Sequence, residues 1–295
     1  MNGRAVAPGA GTVLNALATG TGSAFAIDLE TTASVELAAS GPISGEITGA
    51  PAADTSLIEH CVAATLERYG DSAEVEADLG PDPTAAGATV TTTSDVPMAS
   101  GLKSSSAAAN ATVLATLDAL GLAAVDRLAA CRLGVEAARS AGVTVTGAFD
   151  DASASMLGGV TVTDNGADEL LAHETPAWQA AVYTPPEQAY SADADVDACR
   201  KITDTAEVVA ELALEGRFTE AMTINGFAFC GALGHSPEPM LEALPDADGV
   251  SLSGTGPSTV AVGNREALER VRDSWNERPG TTRLVDVRTD GARTL

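Results

Sequence analysis

The sequence predicts an α+β protein of two domains that meet near residue 158. Three observations carry this. The chain has 295 residues and ample apolar content, enough for two modest domains. Its segments divide between β-branched alternating runs and longer amphipathic ones, so both strands and helices are expected. Gly158-Gly159 then offers a boundary between residues 1–158 and 159–295.

In chain order, residues 3–7 read as a short strand and 7–15 as a flexible glycine loop into an apolar segment. Residues 20–25 read as a second small-residue loop. It leads through 26–29 into a strand at 32–38, with 43–48 as a partner strand. Residues 55–69 form an amphipathic helix, with Leu57, Ile58, Cys61, Val62, Thr65 and Leu66 on one face and Gly70 as its stop. Residues 73–79 alternate as a strand, and the Pro-rich 80–87 is a loop. A strand at 88–93, a break at 97–101 and a helix from Ser104 onward follow. A second helix spans 124–141 and stops at Gly142. Beyond Gly159, 160–163 and 178–183 read as strands, and 196–216, 218–233 and 237–244 as helices. Residues 250–262 read as strand, glycine loop and strand, 266–276 as a helix and 283–287 as the last strand.

The chain is organised around residues 88–120. Its helix carries Ala108, Val113, Leu114, Leu117 and Leu120 at helical spacing and ends at Gly121 as a C′ residue. A strand, a glycine loop and a helix start make an anion site, because the first turn has free N–H groups and a partial positive charge. Gly101 lets the backbone approach, Lys103 adds a formal charge, and Ser104, Ser105 and Ser106 offer hydroxyls to phosphate oxygens or a magnesium ion. The plain alternative is a capped helix whose serines satisfy only its own N-terminus. That alternative must also explain a lysine here in a chain whose only other lysine is Lys201. Farther on, Asp150 and Asp151 follow Gly147-Ala148-Phe149 among small residues. They read either as the N-cap of a short helix through Met156 or as a carboxylate facing a substrate hydroxyl.

Pro97-Met-Ala-Ser-Gly101-Leu-Lys-Ser-Ser-Ser-Ala resembles the phosphate loop of the GHMP kinases, usually Pro-x-x-x-Gly-Leu-Gly-Ser-Ser-Ala. Galactokinase, homoserine kinase, mevalonate kinase and phosphomevalonate kinase are of this type. Lys103 in place of the last glycine, followed by Ser-Ser-Ser-Ala-Ala-Ala-Asn-Ala, resembles the archaeal type of shikimate kinase within that family. The resemblance extends over most of the chain. Residues 7–15 resemble the first family motif, although Ala10 and Gly11 stand where relatives such as mevalonate kinase carry a lysine. Asp150-Asp151-Ala152 aligns with the family's Asp-Asn-Ala. Residues 250–262 resemble the third motif, from which Pro257 departs.

The resemblance implies a two-domain GHMP fold with the nucleotide site between the domains. It implies ATP and Mg2+, and transfer of the γ-phosphate to the 3-hydroxyl of shikimate, in the route to aromatic amino acids. It assigns nucleotide binding to Pro97, Met98, Ala99, Ser100, Gly101, Leu102, Lys103, Ser104, Ser105, Ser106 and Ala107, closed by Gly254 and Gly256. Ser105 with Glu136 would serve the magnesium ion. Asp150, with Lys103, would do the catalytic work, and Asp151 would cap the following turn. Arg4 and Arg139 are candidates for the substrate carboxylate. Two other readings stay open: another acceptor, of homoserine or mevalonate type, and a ligand-binding sensor without turnover on the same fold.

Composition bounds the rest. Sixteen Lys and Arg stand against 41 Asp and Glu, a formal net charge of −25. Such a surface repels nucleic acid and anionic membranes and fits a high-salt cytoplasm, where self-repulsion is screened. Cys61, Cys131, Cys199 and Cys230 form no Cys-x-x-Cys pair, and His60, His173 and His235 have no ligand spacing, so a zinc site is not expected. No signal pattern and no long apolar run predicts a membrane span. A Walker A loop needs a Gly-Lys dipeptide, which is absent, and no Gly-x-Gly-x-x-Gly is completed.

Overall fold

The computed structural model describes residues 1–71, 79, 82–122, 124–189 and 193–295. The strand expected at 73–79 lies, but for Leu79, outside them. The first sheet is built on two long antiparallel strands, β1 (Asn2–Leu14) and β2 (Thr21–Ala38). On one side of β2 lies β4 (Gly87–Ser94), antiparallel to it, and β3 (Ile43–Ile47) runs parallel to β4. Strand 43–48, expected to partner 32–38 of β2, pairs with β4 instead. The early half of β2 also pairs with β5 (Val160–Asp164), which carries β6 (Glu169–Glu174). A two-residue strand, β11 (Arg293–Thr294), edges β1. The second sheet has the antiparallel order β10 (Thr281–Asp286), β7 (Gln179–Thr184), β9 (Thr259–Gly263), β8 (Gly249–Leu252).

Of the stretches 7–15 and 20–25, expected as loops, residues 7–14 and 21–25 are strand. Their glycines and alanines mark close packing instead of flexibility. A side chain at Gly11 would run into the Phe25 ring, and one at Gly22 into the Asp150 carboxylate. Pro8, which has no N–H to give a ladder, is absorbed by a register shift between Pro8 and Gly9.

Helices α1 (Ser56–Tyr69), α2 (Ser104–Ala119), α3 (Arg127–Ser140) and α4 (Phe149–Leu157) pack around the first sheet, with α2 along β1 and β2. The helix α3 starts later than expected because the Asp126 carboxylate accepts from Ala129 N–H and caps it there. The closure of α2 at Gly121 is as read: its φ is +72° and its N–H bonds back to Asp118 O. The helix expected at 196–216 is two, α5 (Val196–Arg200) and α6 (Thr203–Leu214). They are followed by α7 (Phe218–Leu233), α8 (Glu238–Ala243) and α9 (Arg265–Trp275), the last capped by Asn264.

Gly158-Gly159 does not divide the sheets. Pairing of β5 and β6 onto β2 extends the first sheet past it, and β11 returns to that sheet from the C-terminus. The two glycines are tight contacts: a side chain at Gly158 would meet the backbone of 289–290, and one at Gly159 that of Glu174. One apolar cluster also spans both sheets, with Phe25, Trp178 and Phe218 edge to face at 6.1 Å each.

Among the described residues no helix is long and apolar enough to cross a membrane. The four cysteines are free and buried, and burial pushes the Cys61 thiol up to about 12. The net charge of −25 opposes the compact state wherever it is unscreened. We expect the melting temperature to climb steadily from dilute buffer to molar potassium chloride. A melting temperature flat in salt would contradict this.

Candidate active site

The site begins where β4 runs out. Ser94 Oγ accepts from Val96 N–H at 3.1 Å, and Asp95 N–H donates to Glu30 O, which ends the ladder. The chain then passes through three left-handed residues, Ala99 (φ 52°), Gly101 (φ 81°) and Lys103 (φ 65°). Ser100 Oγ closes the first turn on Pro97 O at 2.8 Å, and Leu102, 1% exposed, anchors the loop in the core. Lys103 stands directly before α2 and gives its first turn no side-chain cap. Those N–H groups are left for a ligand. Holding a lysine where a glycine would sit unstrained costs about 1–2 kcal/mol, a cost that points to use of its side chain.

That side chain turns inward. Lys103 Nζ lies 3.0 Å from Asp151 Oδ1, with the two side chains 7% and 16% exposed. The carboxylate oxygen accepts no hydrogen bond of good geometry, so the pair is a charge contact off the hydrogen-bond axis. The second glycine loop closes over the first. Ser253 Oγ donates to Gly101 O at 2.8 Å, and Ser258 N–H to Ser100 O at 3.1 Å. Only glycines allow this approach: a side chain at Gly101 would collide with Ser253 O, and one at Gly254 would sit 2.7 Å from Lys103 Nζ.

Asp150 and Asp151 both fall in the first turn of α4, whose cap position is Ala148. Neither caps the helix, so that expectation for Asp151 is corrected: its carboxylate pairs with Lys103. Asp150 points a different way and is 5% exposed. Its Oδ1 accepts from Asn165 Nδ2 at 2.7 Å, and its carboxylate occupies the space a side chain at Gly22 would fill. Burial, then the charge of Asp151, pushes its pKa up to about 7, against the opposing pull of Lys103 and Asn165.

These segments enclose a cavity of about 620 Å³. Of the residues expected to bind nucleotide, Met98, Ala99, Ser100, Gly101, Lys103, Ser104, Ser105 and Gly254 line it, together with Asp150 and Asp151. Pro97, Leu102, Ser106 and Ala107 shape the loop and helix from behind and are not part of the lining. Gly256 is also outside it, against the His235 ring, whose Nε2 is 2.8 Å from Thr255 O. Glu136 is not at the site. Gly134 and Ala138 of α3 face the recess behind α2, and Glu136, two residues from each, lies on the exposed side. Arg139 is engaged with both oxygens of Asp168 at 2.7 Å, and neither it nor Arg4 lines the cavity.

Asn165 escaped the sequence reading because Asp164-Asn165-Gly166 reads as an ordinary turn. Thr144 and Thr146 escaped it too, being polar residues without a motif, and Asn15 reads in sequence only as the end of the 7–15 motif; all three line the cavity. The lining suits a polyphosphate, with an uncapped helix start, one lysine and backbone bared by glycine. For a magnesium ion it offers the Ser105 hydroxyl, and among the described residues no group of three acidic, His or Cys side chains could hold a metal alone. That fits an ion that takes most of its ligands from phosphate and water.

Residues 56–159 match the family described as GHMP kinases N terminal domain. The chain is 59% identical to the shikimate kinase of Halobacterium salinarum over 296 aligned positions, covering 100% of each. It is 48% identical to that of Methanosarcina acetivorans, covering 92% of this chain and 89% of the other. Among solved structures, homoserine kinase from Cytophaga hutchinsonii superposes with a TM-score of 0.75 at 18% identity, over 100% of this chain and 97% of that one. Mevalonate kinase from Methanococcus jannaschii superposes with 0.73 at 15% identity, over 97% and 98%.

Proposed function

Because this chain belongs to the GHMP kinases, and to the shikimate kinases among them, we infer that its cavity brings ATP and shikimate together for phosphoryl transfer to the 3-hydroxyl. The observation that carries this reading is the meeting, in one cavity, of an uncapped helix start, a lysine and two carboxylates from separate segments. Phosphoryl transfer asks mainly for positioning and charge neutralisation, and each has a candidate residue. The first turn of α2 and Lys103 hold the phosphates, and Gly254 closes over them. The Ser105 hydroxyl would hold the magnesium ion, which when bound neutralises charge on the β- and γ-oxygens.

Asp150 is the candidate base. Held by Asn165 beside the phosphate loop, with its pKa near 7, it matches the acidity suited to general-base work in neutral solution. The shikimate 3-oxygen bonds to the γ-phosphorus as the bond from that phosphorus to the β,γ-bridging oxygen breaks. The hydroxyl proton passes to Asp150, and ADP leaves.

A coupled ADP-release assay in molar potassium chloride, run across shikimate, homoserine, mevalonate and galactose, tests the reading. ADP release should depend on shikimate and be at least about a hundredfold slower with the others, the scale on which a hydrogen-bonding site rejects a mismatched acceptor. Equal turnover of another alcohol would reassign the acceptor, and no turnover of any would leave a binding protein.

A further inference from the structure

We propose that Asn165 is a positioning residue for phosphoryl transfer: it aims the Asp150 carboxylate and ties it to the cavity wall at Thr146. The proposal rests on the reading of Asp150 as the base. Asn165 is 1% exposed, in the turn between β5 and β6, and every hydrogen-bonding direction of its amide group is engaged. Its Oδ1 accepts from Asp150 N–H at 3.0 Å and from Thr163 Oγ1 at 2.8 Å. Its Nδ2 donates to Asp150 Oδ1 at 2.7 Å and to Thr146 Oγ1 at 3.3 Å.

The partners themselves fix which end of the amide is which. A backbone N–H can only donate and an ionised carboxylate can only accept, so only an amide in this orientation serves both. The backbone of Asn165 is equally held. Its N–H donates to Gly20 O at 2.9 Å, and its carbonyl accepts from Arg139 Nη2 at 3.2 Å. A residue needed only to fill space or close a turn would not require both ends of the amide on one aspartate. Opposite Asn165, the carboxylate of Asp150 lies against the bare backbone of Gly22, so it is clamped from two sides. Thr146 lines the cavity, which makes Asn165 the link between the base and the wall the acceptor would touch.

The charges around Asp150 are few. Asp151 is on its own helix and Lys103 on the phosphate loop. The neighbouring α3 contributes Arg132, which lies over the Phe149 ring, and Arg139, paired with Asp168 of the β5–β6 turn. The remaining charge of that turn, Asp164, accepts from Gly166 N–H and Ala167 N–H. The facing stretch of β2, residues 21–25, carries no charge. Within this set two neutral donors favour the ionised carboxylate over the protonated one, the Nδ2–H of Asn165 first and the backbone N–H of Asp151 after it.

The test is the pH profile of kcat/KM for shikimate, with the KM for ATP measured alongside, for Asn165→Leu, Asn165→Asp and Asp150→Asn. Asn165→Leu should move the acid limb up by about one pH unit, costing roughly tenfold on the limb and little on the alkaline plateau, and Asn165→Asp should move it at least as far, because it also sets a second carboxylate against Asp150. The KM for ATP should stay within about twofold, because the phosphate loop is untouched. Asn165→Asp has nearly the same size and shape, so it carries the test if Asn165→Leu does not fold. Folded Asn165 variants with an unmoved limb, while Asp150→Asn abolishes it, would overturn the positioning role alone. An acid limb that survives in Asp150→Asn would overturn the reading of Asp150 as the base, and this proposal with it.

Discussion

Asp150→Asn is expected to cut turnover with shikimate by about 10²-fold or more while ATP still binds. The size is that of losing a positioned general base, and the phosphate loop does not depend on Asp150 for its fold. The same variant should be more stable than the parent at neutral pH. An aspartate in the unfolded chain ionises near 3.9, whereas in the fold burial and Asp151 hold the proton on until about 7. Between those values the unfolded state has lost a proton that the folded state keeps. Stability therefore falls as pH rises through that window and is flat above it. Asparagine keeps the acceptor for Asn165 and removes the ionisation, so the gain should be on the order of a few kcal/mol above pH ~7 and vanish near pH ~4. Turnover, ATP affinity and melting temperature measured at both ends of the range check the three parts separately. A variant that keeps its turnover removes Asp150 from the chemistry. One that loses turnover without gaining stability would show that its carboxylate is not strained by burial.

Lys103→Ala is expected to weaken ATP binding by roughly 10- to 100-fold, from the loss of about 1.5–3 kcal/mol for a hydrogen bond to a charged group. Its effect on stability differs from that of a surface lysine. The Lys103 side chain is 7% exposed and faces Asp151, so its removal leaves a shielded carboxylate without its counter-charge. The relief of the left-handed strain at position 103 is small, since alanine is no more at ease there than lysine. The double variant Lys103→Ala/Asp151→Ala separates the two roles. It should recover most of the lost stability, because neither charge is then stranded, and recover none of the ATP affinity. Titration calorimetry with ATP and thermal melts on both variants decide this. An ATP affinity restored in the double variant would make Asp151, and not the missing lysine, the cause of the loss.

The sequence alone was enough for features that live within one turn or one loop. A helix start after Pro97 and Gly101, with a lysine and serines at its mouth, presents free N–H groups and positive charge whatever surrounds it, because those groups belong to the helix itself. The Asp150-Asp151 pair was legible for the same reason, and so were the Gly121 closure and the two-glycine loop at 254–256. Tertiary structure decided what depends on segments far apart in the chain. The second half of β1 and the start of β2 read as loops, because glycine signals flexibility to its neighbours in sequence but here makes room for Phe25 and Asp150. Spacing could not tell which aspartate meets Lys103 and which meets Asn165, because adjacent first-turn side chains diverge and each takes the partner its own direction supplies. Glu136 lies away from the cavity because no residue of α3 lines it: the inner face of that helix meets the recess behind α2, and a shift of two residues turns a side chain from there to the solvent. Asn165 is polar, lone and in a turn, and it became part of the site only because pairing of β5 with β2 carries that turn to the start of α4.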